Sequence, residues 1–170
     1  MDIRQAGIAD SERLQKMGME TYRHYFGSLW QSAAELQQFL DNDFSLATLQ
    51  QGLSDPEQHW WLATEAGVPT GFAKVHYNQP LPESQEQGAM LCKLYLQPSA
   101  KSRGLGAALF ARAEQQAAER QQSWVWLTVL KSNTTAISFY ERQGMSIHCE
   151  SAYVTETQTT ELWVMKKNIL

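Results

Sequence analysis

The segment from Lys101 to Phe110 has the residue types and spacing of a phosphate-binding turn. Its sequence is KSRGLGAALF, in which two cations and two glycines precede an alanine- and leucine-rich stretch. A helix start leaves amide donors unpaired and carries partial positive charge, so it binds anions without help from side chains. Gly104 and Gly106 have no Cβ atom that would block phosphate oxygens. We therefore predict a pyrophosphate-binding turn, and a plain loop that only begins a helix remains the alternative.

The spacing of these glycines excludes two other phosphate-binding motifs. A P-loop needs a Lys-Ser/Thr pair directly after its last glycine, and none follows Gly106. A dinucleotide-binding fingerprint needs a third glycine where Leu109 stands, and it should open the first strand–helix–strand unit of the chain. What remains is a strand, a glycine-rich turn and a helix start that binds through its backbone N–H groups.

A second segment, residues 131–145, completes a pattern with the first. It has the sequence KSNTTAISFYERQGM. Asn133 stands where the N-cap of a helix is expected, a Phe-Tyr pair lies one turn before the helix end, and Gly144 suits the position that follows a helix. The apolar run WVWLTVL at 124–130 precedes it and is typical of a strand covered on both faces.

The rest of the chain supplies the elements that must position these two segments. Asp10 is an expected N-cap, Ser32 and Glu35 form a capping box, and two prolines with Gly88 predict a loop over 78–88. No linker divides the chain, so we predict one domain of residues 1–170, with strands first paired as a meander and then joined through a helix. The predicted strands are 2–6, 59–65, 70–77, 89–98, 124–130, 146–154 and 160–167, and the predicted helices are 10–25, 32–40, 46–53, 104–121 and 133–143.

Composition and charge narrow the class of protein. With 170 residues, 43% of them hydrophobic, the chain can bury the core of one domain. Its formal net charge of −4 argues against a nucleic-acid binder, which usually has a basic surplus. The first residues include early charges and no apolar run, and the longest apolar stretch is too short to span a bilayer, so we expect a cytoplasmic protein without a membrane partner. Cys92 and Cys149 lie outside any Cys-x-x-Cys pattern and are expected to be buried thiols.

Together the two segments resemble the GNAT acetyltransferases, whose cofactor motif is Gln/Arg-x-x-Gly-x-Gly/Ala after a strand. The motif here is KSRGLG at 101–106, with lysine at the first position. The resemblance covers nearly the whole chain, and its specific motifs lie in residues 89–145. It implies a mixed α/β (α+β) fold, in which a central sheet of about seven strands has splayed parallel central strands and is flanked by helices. It also implies acetyl-CoA as co-substrate and no metal.

The resemblance assigns roles to individual residues. Tyr140 would be the general acid, because a phenol with a pKa of about 10 can protonate a departing thiolate whose acid has a pKa of roughly 8.5. A core tyrosine beside Phe139 is the alternative. Asn133 would cap its helix and reach the cofactor arm. The remaining cofactor contacts would come from Leu94, Tyr95 and Leu96 at the pantetheine arm, and from Lys101, Ser102, Arg103, Gly104, Leu105, Gly106 and Ala107 at the pyrophosphate.

In overall layout the chain is similar to the PaiA-like polyamine N-acetyltransferases, which implies an amine acceptor. The expected reaction is direct acetyl transfer to a primary amine of a small molecule, with a polyamine as one candidate. Tyr22, Tyr25 and His76 are candidates for acceptor binding, and His76 or a water chain is a candidate general base. Carboxylates could attract a polyamine or could simply be solvated, namely those of Glu20, Glu35, Asp41, Asp43, Glu83 and Glu86.

Two other functions stay open at this point. The acceptor could be the amine of a peptide or protein, which would need an open groove, or the chain could be a non-catalytic acyl-CoA sensor. Tyr140 favours an enzyme over a sensor. Cys92 has no recognisable activating His or Asp nearby in the sequence, so we interpret it as a packed thiol. A homodimer is compatible with the sequence.

Overall fold

The computed structural model describes residues 1–100 and 104–170, and it has seven strands and five α-helices within those ranges. Short 3₁₀ turns at Ile8–Asp10, Gly27–Leu29 and Pro98–Ala100 connect some of these elements. The elements in chain order are β1 (Asp2–Gln5), α1 (Ser11–Phe26), α2 (Ala33–Phe44), α3 (Leu46–Ser54), β2 (Gln58–Glu65), β3 (Val68–Pro80), β4 (Gln87–Leu96), α4 (Leu105–Glu119), β5 (Trp124–Leu130), α5 (Thr134–Arg142), β6 (Ser146–Val154) and β7 (Thr159–Asn168).

The seven strands form one mixed sheet in the order β1-β2-β3-β4-β5-β7-β6. β4 and β5 are parallel, with Ala89 opposite Val125 and Met90 opposite Trp126. β5–β7 and β6–β7 are antiparallel pairs, as is β1–β2. The first four strands are therefore neighbours in chain order, and α4 makes the crossover to a parallel strand that this geometry requires. The predicted fold class, a mixed sheet of about seven strands flanked by helices, is confirmed.

One compact unit consists of Met1–Lys74 and Lys93–Leu109. Its core contains Leu14, Leu40, Phe44 and Phe72, none of which has exposed surface. Gly18 lets α1 approach Phe44, because a Cβ at this position would lie 2.2 Å from the aromatic ring. The apolar faces of the first three helices thus cover the sheet in this unit.

The other compact unit consists of Val75–Cys92 and Phe110–Leu170. Leu81, Trp126 and Val164 form a buried cluster there, with Met90 and Cys149 packed against it. Gly88 allows β4 to run close to β5, because a Cβ at Gly88 would lie 2.6 Å from the Trp124 carbonyl oxygen. A glycine is required at this position by close packing of two backbones.

The predicted loop over residues 78–88 is wrong at both ends. β3 continues to Pro80 and β4 already begins at Gln87. Asn78 adopts φ +57° inside the strand, where its N–H donates to Gln122 Oε1 (2.9 Å) and its Oδ1 accepts from Gln122 Nε2 (3.0 Å). These side-chain bonds stabilise an irregular strand residue, and Pro80 is tolerated because it lies at the strand end.

No helix in the described part of the chain is both long enough and apolar enough to cross a membrane. Within the same ranges, no cluster of three or more His, Cys, Asp or Glu side chains is arranged to hold a metal ion.

Candidate active site

The start of α4 follows the predicted phosphate-binding turn. Lys101, Ser102 and Arg103 lie outside the described residues. Gly104 has φ +77°, and no described atom lies within 4 Å of the place where a Cβ would be. The N–H of Ala108 donates to the Gly104 carbonyl oxygen (3.1 Å), which makes Gly104 the first carbonyl acceptor of the helix. The amides of residues 105–107 precede this bond and have no partner within the helix, so they form the electropositive end of α4.

The strand segment Leu94–Leu96 lies in the same unit as the start of α4. A Cβ at Gly71 would lie 3.0 Å from the Tyr95 carbonyl oxygen, so β3 passes close to this segment. The Tyr25 hydroxyl donates a hydrogen bond to the Leu96 carbonyl oxygen (3.0 Å). Burial raises the pKa of Tyr25, which keeps this hydroxyl protonated as the donor.

Tyr22, the other tyrosine predicted to bind the acceptor, belongs to a half-buried aromatic group. Its hydroxyl accepts a hydrogen bond from Trp30 Nε1 (3.1 Å), and its ring centroid is 4.7 Å from that of Phe39 and 6.4 Å from that of Tyr95. Tyr22, Trp30, Phe39 and Tyr95 all pack against the buried core of their unit. The structure therefore brings Tyr22 together with Tyr95 of the predicted cofactor strand.

Tyr140 and Asn133 lie on the second unit, at opposite ends of α5. Asn133 Oδ1 accepts a hydrogen bond from the Ala136 N–H (3.2 Å), which confirms the predicted N-cap. Tyr140 is half-buried, and its ring centroid lies 5.2 Å from that of Phe139 and 6.3 Å from that of Phe110. The first pair is edge-on (69°) and the second is tilted (48°), and packing between these two rings restricts how far the Tyr140 ring can turn.

His76 and Cys92, the other chemically reactive candidates, lie on β3 and β4 of the second unit, and both are half-buried. The Cys92 thiol is 3.5 Å from the Met90 carbonyl oxygen, a weak contact within its own strand.

An ion pair between Lys93 and Asp43 was missed in the sequence. The Lys93 ammonium is 2.7 Å from an Asp43 carboxylate oxygen and 4.8 Å from the centroid of the Phe44 ring. The Lys93 side chain is only 8% exposed, so an uncompensated charge there would be costly. A lone lysine inside the apolar run LCKLYL was a signal that a carboxylate partner was needed. Asp43 is therefore paired with a cation of its own chain.

The mixed seven-stranded sheet, in which the helix after β4 begins directly after Gly104, is typical of the GNAT class of acyltransferases. Residues 17–145 match the acetyltransferase (GNAT) family, and the chain belongs to this family. It is accordingly an N-acetyltransferase.

Known proteins of similar sequence and structure agree with this assignment. The chain is 26% identical to an uncharacterized N-acetyltransferase of Lactobacillus delbrueckii subsp. lactis, over 89% of this chain and 87% of that one. Its fold is similar to that of the PaiA N-acetyltransferase of Thermoplasma acidophilum in complex with coenzyme A, with a TM-score of 0.78 and 20% identity over 98% of both chains. It is also similar to a putative acetyltransferase of Salmonella typhimurium with its cofactor acetyl-CoA, with a TM-score of 0.71 and 18% identity over 99% of this chain and 94% of that one.

Proposed function

We propose that this protein, as a single domain of residues 1–170, transfers the acetyl group of acetyl-CoA directly to the primary amine of a small molecule. The observation that carries the proposal is the start of α4, where the glycine of the family motif has φ +77° and the amides of residues 105–107 precede the first hydrogen bond of the helix. Residues 17–145 match the acetyltransferase family, and we therefore infer that a ligand at this helix start is the acetyl donor of that reaction.

The start of α4 fits a pyrophosphate. The N–H groups of Leu105, Gly106 and Ala107 would donate to phosphate oxygens, and the helix dipole favours negative charge there. The open space beside Gly104 is consistent with close approach of a phosphate oxygen. Lys101 and Arg103 would add positive charge, and the Ser102 amide would be one further donor.

The pantetheine arm has amide groups that can pair with a strand backbone, as an added strand would. We propose that Leu94, Tyr95 and Leu96 supply this backbone. The Leu96 carbonyl already accepts a hydrogen bond from Tyr25, so the N–H of Leu96 is the group that we assign to the arm. Asn133 uses its side-chain oxygen as the cap of α5, and its side-chain NH₂ group would donate to the arm.

Tyr140 is the proposed general acid. A neutral amine attacks the thioester carbonyl carbon, a C–N bond forms and the C–S bond breaks, so the sulfur leaves as a thiolate. The Tyr140 hydroxyl would donate its proton to that sulfur, and the amine nitrogen would lose a proton to His76 or to water. Backbone N–H groups on the strand would stabilise the negative charge that develops on the carbonyl oxygen.

A small primary amine is the proposed acceptor class, with a polyamine as the first candidate. Tyr22 and Tyr25 are the proposed acceptor contacts. Of the carboxylates that could attract a polyamine, Asp43 is paired with Lys93, so its charge is compensated. A polyamine would therefore depend on the remaining carboxylates, of which Glu20 is exposed.

An amine panel tests the function. Release of free CoA thiol is measured with acetyl-CoA and, in turn, a polyamine, a diamine, an alkyl monoamine, an aromatic monoamine and a peptide with a free amino terminus. We expect at least one small amine to accelerate thiol release well above acetyl-CoA hydrolysis, with the acetylated amine found by mass spectrometry. Acceleration by the peptide alone would replace the small acceptor with a peptide, and no acceleration by any amine would contradict the proposal.

Substitution of Tyr140 by Phe tests the acid. This change keeps the ring packed against Phe110 and Phe139 and removes only the hydroxyl. We expect kcat to fall by roughly 10²–10⁴-fold, the usual contribution of a positioned acid, while the affinity for acetyl-CoA measured by calorimetry changes little. The loss should shrink for acyl donors with more acidic thiols. An unchanged rate, with product release shown to be fast, would remove Tyr140 from the mechanism.

A further inference from the structure

Glu114 of α4 and Lys167 of β7 form an ion pair, and neither residue takes part in the proposed bond-making or proton-transfer steps. The Lys167 ammonium lies 2.9 Å from each of the two carboxylate oxygens of Glu114. The Lys167 side chain is 26% exposed and the Glu114 side chain is 30% exposed, so water screens the pair only in part. Both residues belong to the unit that contains Tyr140, and the sequence analysis singled out neither of them.

The side chain of Lys167 lies across the end of α5. A Cβ built at Gly144 would come within 3.1 Å of Lys167 Cε and within 3.4 Å of Nζ. Gly144 has φ +94°, and the Tyr140 carbonyl oxygen accepts from the N–H groups of Gln143 and Met145, both at 3.0 Å. Lys167 therefore packs on the turn whose hydrogen bonds close on the backbone of Tyr140.

The Lys167 ammonium also lies near Phe110, a ring neighbour of Tyr140. The Lys167 ammonium is 6.0 Å from the centroid of Phe110, and the Phe110 ring is in turn 6.3 Å from that of Tyr140. Phe110 is 2% exposed and lies one helical turn before Glu114, on the same face of α4. Lys167 thus contacts the surroundings of Tyr140 at two points, its backbone turn and its ring neighbour.

We propose that Lys167 and Glu114 are positioning residues for Tyr140. The proposal rests on the acid role of Tyr140 proposed above. The carboxylate of Glu114 fixes the direction of the lysine side chain, and the fixed lysine holds both the end of α5 and the Phe110 ring. Since a displacement of about 1 Å can cost roughly 10²-fold in rate, an element that fixes the Tyr140 hydroxyl should appear in kcat.

A double-mutant cycle tests this proposal. Lys167→Met keeps the apolar stem and removes the charge, and Glu114→Gln removes the partner with little change of shape. Each is made alone and in the Tyr140→Phe background, and kcat, the KM for acetyl-CoA and the dependence on the acidity of the leaving thiol are measured. We expect a fall of about 10- to 100-fold in kcat for each single variant, with KM nearly unchanged.

Two further variants serve as controls. Lys167→Arg keeps the charge opposite Glu114 and should recover most of the lost rate. Lys166→Met removes the neighbouring lysine, whose ammonium lies over the Trp124 ring at 4.7 Å, and should leave kcat unchanged. Melting curves and near-ultraviolet circular dichroism of every variant show whether it is folded. If Lys167→Met does not fold, the kcat of Glu114→Gln in the two backgrounds tests the proposal instead.

The outcomes separate the two proposals. In the Tyr140→Phe background, the pair variants should cause no further fall in kcat, because there is no hydroxyl left to position. If they lower kcat there by the same factor as in the wild type, the pair acts independently of the hydroxyl and the positioning role is overturned, while the acid role stands. If Tyr140→Phe alone leaves kcat unchanged, the acid role fails and the positioning role fails with it.

Discussion

The starts of α4 and α5 differ in the residue at the N-cap position, which is Gly104 in α4 and Asn133 in α5. Both helices begin with amides that have no partner within the helix. At α5 the side chain of Asn133 accepts from the Ala136 N–H, and the caps of α2 and α3 do the same with Ser32 and Ser45. At α4 the residue before the helix is Gly104, which has no side chain to offer.

This difference between the two helix starts supports the proposed position of the phosphate-binding site. A glycine at an N-cap costs only a few tenths of a kcal/mol relative to Ser or Asn, so Gly104 at this position does little harm to the helix. At α4 the electropositive helix end follows a residue at φ +77°, and no described atom lies within 4 Å of the place where its Cβ would be. A side-chain cap uses helix amides for stability, whereas we propose that the amides at the start of α4 bind an anion.

The largest effect is expected from a charged side chain at Gly104, where the start of α4 has none. In Gly104→Glu we expect the affinity for acetyl-CoA to fall by at least ~100-fold, because the new carboxylate repels the pyrophosphate. The change should also cost roughly 1–2 kcal/mol of folding stability, since residues other than glycine are strained at this φ. Calorimetry gives the affinity, and urea unfolding gives the stability.

Gly104→Ala is the matched control. It has the same backbone strain without the charge, so its stability should fall as much as that of the glutamate variant and its affinity should fall less. Wild-type affinity in Gly104→Glu would mean that the start of α4 does not bind the pyrophosphate.

How much could be predicted from the sequence depends on whether the signal was local. The fold class, the cap at Asn133 and the helix after Gly104 were all predicted, because glycines, caps and apolar periodicity act within a few residues. The pairs Lys93–Asp43 and Glu114–Lys167 were not predicted, because each joins residues about 50 positions apart. The strand residue Asn78 was assigned to a loop because its stabilising partner, Gln122, lies 44 positions away in the chain.

The two helix starts can be compared further at Asn133, whose side chain caps α5 and, as we propose, also binds the arm of acetyl-CoA. Asn133→Ala should lose about 1 kcal/mol of stability with the cap, and about 3- to 10-fold in affinity for acetyl-CoA with one hydrogen bond. Asn133→Ser restores a capping oxygen but has no amide. We expect it to recover the stability, measured by urea unfolding, and not the affinity, measured by calorimetry.

Ser45→Ala is the control for a cap without a ligand. The Ser45 side chain accepts from the Thr48 N–H at 3.1 Å, so its loss should lower stability by about as much as the loss of the Asn133 cap. The affinity for acetyl-CoA should not change. Full affinity in Asn133→Ser would reduce Asn133 to the same purely structural role.

The start of α1 is a third case, in which a residue at the N-cap position does not cap its helix. Asp10 was predicted to cap α1, but its carboxylate makes no hydrogen bond to the first amides of that helix. It accepts instead from the Gly7 N–H (2.9 Å) and from both terminal nitrogens of Arg4 (2.7 and 2.9 Å). Asp10 therefore ties β1 and the turn after it to the beginning of α1.

Loss of the Asp10 hydrogen bonds should have the smallest effect of the changes considered, and its effect on folding stability should depend on pH. The hydrogen bonds from Arg4, and to a lesser degree that from Gly7, hold the pKa of the Asp10 carboxyl below its ordinary value. Because the folded pKa is lowered, the stabilisation is complete above the unfolded pKa of about 3.9 and disappears as the pH falls through the folded value. Asp10→Asn, which keeps an acceptor for the Gly7 N–H, should cost about 0.5–1 kcal/mol at pH 7, since Arg4 is half exposed. Urea unfolding of both proteins is measured between pH 7 and pH 2.5, and the difference in their unfolding free energies should shrink only below pH 4. A difference that persists at pH 2.5 would mean that the charge of Asp10 is not its source.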